Sequence, residues 1–286
     1  MTFIKELIIP ENKIELRKFY GDTLSDKIIN HNSSNNTKIC FLDLETTGLD
    51  KANDKIIELA VKLVSVDNNS GDLIGIINQY ESFQDPEEPI DEKVSKVNGI
   101  TNDMVDDHAI NWAPVEEILE STDIIVAHNA GFDRAFMDRY LPLSKDKIWV
   151  CSVNDVDWLE RGFTSSKQEL LCIWHGFFYD SHRAMSDVDA LINLLTHESY
   201  KTNIPILELI ENASNSIYKV SAINSSYETK DILKANGYYW DGAKRCWWKN
   251  LLFEEIEIEK NWLANNVYGG DFIGMVEEIS LTDKYK

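Results

Sequence analysis

Ile39-Cys40-Phe41-Leu42-Asp43-Leu44-Glu45 is the stretch from which the fold can be read. Its first four residues are all apolar, the pattern of a strand buried on both faces, and two carboxylates follow at once. Residues two apart on a strand point to the same side, so Asp43 and Glu45 project together while Leu44 turns into the core. Two carboxylates this close raise each other's pKa unless a cation sits between them. Hard divalent ions such as Mg2+ take oxygen ligands of this kind.

The elements that follow place the strand in a mixed sheet. Ile56–Val66 and Leu73–Phe83 read as strands separated only by the turn residues 67–72, and so short a connection requires an antiparallel pair. Asp91–Val97 and Pro114–Glu120 read as helices, and Asp123–Ala127 and Lys147–Val153 as further strands. Helical patterns cover Phe132–Tyr140, Lys167–His175, Asp187–Leu195 and Ile204–Asn212. Antiparallel strands first, then strand–helix alternation, predict an α/β mixed sheet flanked by helices.

Two more carboxylates are placed by helix periodicity. Asp133 falls in the first turn of its helix, with Phe136 and Met137 three and four residues later, so it lies on the core-facing side. An unpaired carboxylate there is costly, and a nearby metal removes the cost. Asp187 shares a face with Ala190, Leu191 and Leu194, whereas Asp189 is turned away from that face. His182, in the loop just before, has the spacing of a base acting beside a metal site.

Composition bounds the remaining choices. A length of 286 residues allows two domains, and 43% apolar with 27% charged residues excludes a disordered or fibrous chain. Lys+Arg number 28 against 49 Asp+Glu, a net charge of −21, so the chain repels polyanions on average. Nucleic-acid contact then requires a local basic patch or bound metal ions. Cys40, Cys151, Cys172 and Cys246 form no CxxC pair and no zinc-like spacing, which predicts free thiols in a reducing compartment. Residues 1–13 lack the features of a signal peptide, and no run approaches the ~18 apolar residues of a membrane helix. The expectation is a cytoplasmic protein. A short amphipathic stretch, Ile14–Tyr20, and a polar linker, His31–Thr37, precede the first buried strand.

Beyond Ala213-Ser214-Asn215-Ser216 the composition shifts. Residues 217–250 carry six basic and three acidic side chains, interleaved with Tyr238, Tyr239, Trp240, Trp247 and Trp248. Thr229–Asn236 reads as a helix stopped by Gly237, and Asp241-Gly242 as the turn of a hairpin. Bases of a single strand stack on aromatic faces while Lys244 and Arg245 follow phosphates; equally, the tryptophans can form the core of a small domain. Alternation puts Trp247 and Trp248 on opposite faces. Glu254, Glu255, Glu257 and Glu259 read as a solvated helix face whose buried side is Trp262 and Leu263.

Phe41–Gly48, His128–Asp133 and His182–Asp187, in this order, resemble the DEDDh (DnaQ-like) 3′–5′ exonucleases, and Val97-Asn98-Gly99-Ile100-Thr101 fits the same family. The resemblance implies an RNase H-like five-stranded sheet and two divalent cations, Mg2+ or Mn2+. By it, Asp43, Glu45 and Asp187 hold one ion, Asp43 with Asp133 a second, and His182 is the general base. Leu44, Thr46, Thr47 and His128 are the implied substrate contacts. Many relatives have Asp-Thr where this chain has Cys151-Ser152, positions that are not metal ligands. Ala235–Asp241 and Trp247-Trp248-Lys249 resemble the small C-terminal domain of some exodeoxyribonuclease X-like enzymes, which adds Trp240, Trp247 and Trp248 as contacts.

The expected organisation is an N-terminal extension over 1–37, an exonuclease domain over 38–200 and a small α+β domain over 214–286. The expected partner is nucleic acid with a single-stranded 3′ end, DNA favoured by the C-terminal resemblance. An RNA-directed exoribonuclease and a polymerase's proofreading subunit remain alternatives.

Overall fold

In the computed structural model, which describes residues 15–29 and 34–286, almost every residue from Ile56 to Val64 is fully buried, and this strand is the spine of the sheet. The strands, in chain order, are β1 (Arg17–Lys18), β2 (Asn36–Thr46), β3 (Ile56–Asp67), β4 (Leu73–Phe83), β5 (Ile124–Ala127), β6 (Ile148–Cys151) and β7 (Phe177–Phe178). The five-stranded sheet has the order β4-β3-β2-β5-β6. Its β4-β3-β2 part is antiparallel and its β2-β5-β6 part parallel, as the loop lengths require.

Helices cover both faces. They are α1 (Glu92–Asn98), α2 (Asn102–Val105), α3 (Trp112–Glu120), α4 (Ala130–Tyr140), α5 (Gln168–Trp174), α6 (Ala184–Leu195) and α7 (Pro205–Ala213). The strand alternation of β2 divides the core: Ile39 and Phe41 join α6 and α7 on one side, Cys40, Leu42 and Leu44 join α3 and α4 on the other. Asp43 and Glu45 have the parity of Phe41, so they face the side that carries α6. Local chemistry sets the ends. Asp91 caps α1 by accepting from Lys93 N, and Gly99 closes it in the left-handed conformation at φ 73°.

Two of the helices that bear the carboxylates start earlier than periodicity alone placed them. α4 begins at Ala130 and α6 at Ala184, because Asn129 and Arg183 already carry the flanking geometry while their neighbours are small or polar and leave no apolar mark. The expectations for residues 1–14 and 30–33, which include the start of the amphipathic stretch and part of the linker, lie outside the described residues. Residues 17–18 pair in parallel with β7, and Leu24 is fully buried in the core under α6.

The chain divides into two compact units, the second being Ser214–Lys284, while Tyr285 and Lys286 belong with the first. The second unit is an antiparallel sheet of β8 (Ile217–Ala222), β9 (Tyr239–Asp241), β10 (Cys246–Leu251) and β11 (Met275–Ile279), in the order β11-β8-β10-β9. Helices α8 (Lys230–Ala235) and α9 (Ile256–Leu263) contribute Leu233 and Leu263 to its core. Gly237 adopts φ 82° after α8. The β9–β10 connection is wider than a two-residue turn: Asp241 accepts from the backbone of Ala243 and Lys244, and Arg245 takes the positive φ of 52°.

One expectation is corrected here. Glu259 is not on a solvated face; it is 7% exposed and accepts from Asn236 Nδ2, Tyr238 OH and Lys249 Nζ. The 3.6-residue period puts position 259 beside Ile256 and Leu263, so it turns inward with them, and three donors satisfy it.

Candidate active site

The carboxylates read from three separate segments meet at one end of the first unit's sheet. β2 delivers Asp43 and Glu45 from consecutive same-side positions, and the first turn of α6 delivers Asp187. Oxygens of these three side chains lie within 4.8 Å of one another, and all three residues are half-buried. Asp133, in the first turn of α4, stands outside that trio but is 3% exposed and repels Asp43.

The electrostatics follow from this crowding. Burial pushes the Asp43 carboxyl well up, and Asp187, Asp133, Glu45 and Glu58 push it further. Glu45 is raised to about 7, chiefly by burial, although Asn98 Nδ2 donates to its Oε2 at 3.2 Å and opposes the rise. Asp133 is also raised by burial, and Asp187 likewise, with Tyr179, Arg183 and His182 holding it back. Crowded carboxylates whose burial and mutual repulsion raise their pKa values fit a hard divalent ion.

His182 is exposed and sits two residues before α6 with a left-handed φ of 62°. A hydrogen bond from its backbone and the proximity of its ring help hold the Asp187 carboxyl down. The remaining expected residues are distributed around it. Leu44 is 5% exposed in the core and Thr46 8% exposed with its hydroxyl on Gly48 O. Thr47 Oγ1 contacts Asp54 and accepts from Lys55 N. His128, its pKa pushed down to about 4 by burial, has Nδ1 2.8 Å from Ser152 Oγ, so the unusual Ser152 is its partner.

In the second unit, Trp240 and Trp247 form one cross-strand pair with ring centroids 5.5 Å apart. Trp247 packs against the core while Trp240 is exposed. On the opposite face Trp248 pairs with Tyr239, and Lys219 Nζ lies 4.4 Å from the Trp248 ring. Lys244 and Arg245 are exposed in the β9–β10 loop.

Sequence reasoning missed Glu58, Asn98, Tyr179 and Arg183. Glu58 carried a usable signal, a lone carboxylate inside the apolar run of β3, where burial demands a partner. Asp189 does avoid the carboxylate cluster, but it is buried rather than idle and pairs with Lys62.

Residues 40–195 match the protein-family model RNase_T, described as an exonuclease. The chain belongs to this exonuclease family. The DEDDh (DnaQ-like) motifs and the RNase H-like sheet agree with that membership. The chain is also similar to the PolC-type DNA polymerase III of Bacillus subtilis (strain 168), 33% identical over 166 residues, which are 54% of this chain and 11% of that protein. The PolC-type DNA polymerase III of Thermotoga petrophila is 32% identical over 209 residues, 65% of this chain and 14% of that one. The chain therefore matches only a small part of these relatives' length. Among solved structures it is similar to Exonuclease X in complex with 5′ overhanging duplex DNA, at 23% identity and TM-score 0.40 over 59% of this chain and 99% of that one. E. coli Exonuclease I in complex with a dA16 oligonucleotide gives 16% identity and TM-score 0.47 over 64% and 48%. No helix among the described residues is long and apolar enough to cross a membrane.

Proposed function

We propose that this chain is a metal-dependent 3′–5′ exonuclease that releases nucleoside 5′-monophosphates from single-stranded 3′ ends, DNA in preference to RNA. The observation that carries the reading is the convergence of Asp43, Glu45 and Asp187 within 4.8 Å in a member of an exonuclease family. Asp43, Glu45 and Asp187 would hold one Mg2+ or Mn2+, and Asp43 with Asp133 a second. Bound there, the ions supply positive charge that activates water and stabilises the leaving 3′-oxygen. The chain's own part is to hold the carboxylates charged, to orient the strand and to accept a proton. His182 takes that proton from water as its oxygen bonds to phosphorus and the P–O3′ bond breaks; the departing 3′-oxygen is protonated from solvent. With Leu44 and Thr46 buried, their contacts to the terminal nucleotide use backbone groups, beside Thr47 and His128.

The second unit, within the proposed 214–286 domain, grips the strand through Trp240, Trp248, Lys244 and Arg245, while Trp247 serves its core. The proposed exonuclease domain spans 38–200, with 1–37 as an extension. A cytoplasmic location belongs to the same reading and rests on four cysteines that are all buried and free. A second reading, proofreading beside a polymerase, is favoured by the PolC-type relatives.

The test is incubation with Mg2+ or Mn2+ and 5′-labelled single-stranded DNA, single-stranded RNA or duplex DNA, with Asp133→Ala in parallel. Laddering from the 3′ end that the variant lacks is the expected result, and the fastest substrate names the class. Cleavage of none of them, alone or with a polymerase added, overturns the proposal.

A further inference from the structure

Glu58 lies beside the carboxylate cluster and makes its electrostatics worse without belonging to the trio of close carboxylates. It lies directly across the β2–β3 ladder from Glu45, is 4% exposed, and raises the pKa of both Asp43 and Glu45. Both its oxygens are already taken. Oε1 accepts from Arg183 Nε at 3.2 Å and Nη2 at 3.0 Å, and Oε2 accepts from Arg183 Nε at 3.3 Å and from Ala184 N at 3.0 Å. Arg183, the N-cap position of α6, makes no side-chain cap of its own. Glu58 thus caps α6 by accepting from Ala184 N, 126 residues away in the chain.

What this cap fixes is the loop carrying His182. His182 adopts φ 62°, a conformation that persists in a non-glycine residue only where the surroundings over-determine it. On its N-terminal side Ser181 Oγ donates to Glu169. On its C-terminal side Arg183 N donates to Asp187 Oδ2 at 3.1 Å, while the Arg183 side chain lies on Phe83 and forks onto Glu58. A planar guanidinium bonded twice to a buried carboxylate cannot rotate without breaking both bonds.

We propose that Glu58 and Arg183 are positioning residues, a clamp that holds His182 in register with Asp187. The inference rests on the exonuclease reading, in which His182 accepts the proton. Placement errors of ~1 Å at such a group cost up to about 100-fold in rate, so a clamp of this kind matters to turnover more than to substrate affinity.

The test uses the full chain with Arg183→Ala, Arg183→Lys and Glu58→Gln, each alone and combined with His182→Ala. Arg183→Ala leaves the buried Glu58 without its cation, so folding of every variant is checked by thermal melt, and Arg183→Lys, which keeps a cation beside Glu58, carries the test if Arg183→Ala does not fold. In Mg2+ with single-stranded DNA, Arg183→Ala is expected to lower kcat by about 10–100-fold with KM within ~3-fold. In the His182→Ala background the same change is expected to cost less than ~3-fold, because the residue being positioned is gone. Arg183→Lys should recover part of the loss, since it keeps the charge and loses the fork. Separately, in metal-free protein, the backbone order parameter at His182 should fall below about 0.6 in Arg183→Ala and stay near the rigid value in the wild type. Equal losses in both backgrounds, or an unchanged order parameter, overturn the clamp. A wild type without hydrolysis sinks the exonuclease reading instead, and the order parameter still decides the clamp. Loss of Mn2+ affinity in Glu58→Gln but not in Arg183→Ala would make Glu58 a metal ligand and also overturn it.

Discussion

The Tyr179 hydroxyl donates a 2.7 Å hydrogen bond to Asp187 Oδ1, and Gln168 Nε2 in turn donates to that hydroxyl at 3.0 Å. The relay is directional: the glutamine fills the phenol's acceptor site, so its proton points at the carboxylate and favours the charged form.

Tyr179→Phe removes that donor and lets burial raise Asp187 further. The acid limb of the pH–rate profile should move to higher pH, and Mn2+ affinity at neutral pH should fall about 10-fold or more. Titration calorimetry and a pH series on one labelled strand check both, and an unmoved acid limb counts against the relay.

Glu45 gives the metal-free protein an inverted pH dependence. Its folded pKa of about 7 lies above the ordinary 4.5, so the folded state holds a proton there that the unfolded state has lost. This contribution to stability is fully present below 4.5 and is lost as pH rises through 7. Thermal melts in chelator should therefore show the site favouring pH 5 over pH 8, with the trend abolished by excess Mg2+. Asn98→Ala, which removes a donor to the charged form, should push the loss to higher pH.

Lys62 and Asp189 are 4% and 6% exposed and paired across the β3–α6 interface. Lys62→Ala leaves the aspartate buried without its cation, and a loss of about 3–5 kcal/mol in denaturant unfolding is expected. The double variant Lys62→Met with Asp189→Leu should recover most of it. Mn2+ affinity should be unchanged in the double variant, because the pair faces away from Asp187.

Trp248→Ala and Trp247→Ala should behave differently although the residues are neighbours. The former removes a stacking face beside Lys219, with an expected loss of about 1–3 kcal/mol in single-strand binding by fluorescence anisotropy at low salt. The latter opens the core of the second unit and should first appear as a lowered melting temperature. Identical binding by wild type and Trp248→Ala would remove that face from the proposed strand contact.

Every strand of the five-stranded sheet was legible because each is a run of apolar residues bounded by turn chemistry, and turn length decided that β3 and β4 are antiparallel, whereas the two-residue strands β1 and β7 were too short to leave a pattern. β11 was not legible. Met275–Ile279 contains Glu277 and Glu278, and as an edge strand it exposes side chains that a central strand buries. Asp43, Glu45, Asp133 and Asp187 were legible for a related reason: each is a charge that local periodicity forces onto a core-facing position. His182 needed the order of motifs as well, since a loop residue has no periodicity to betray it.

The sequence by itself determined the chain order of the five central strands, the mixed sheet and the four carboxylates, since strand and helix periods act over a few residues and are written in the local pattern of apolar side chains. Only the tertiary structure decided the partners: Asn98 with Glu45, Arg183 with Glu58 and Lys62 with Asp189 are 53, 125 and 127 residues apart. A buried charge announces that it needs a partner but carries no information about which one. That choice is made by strand register and helix packing, which bring two distant positions to one hydrogen-bonding distance.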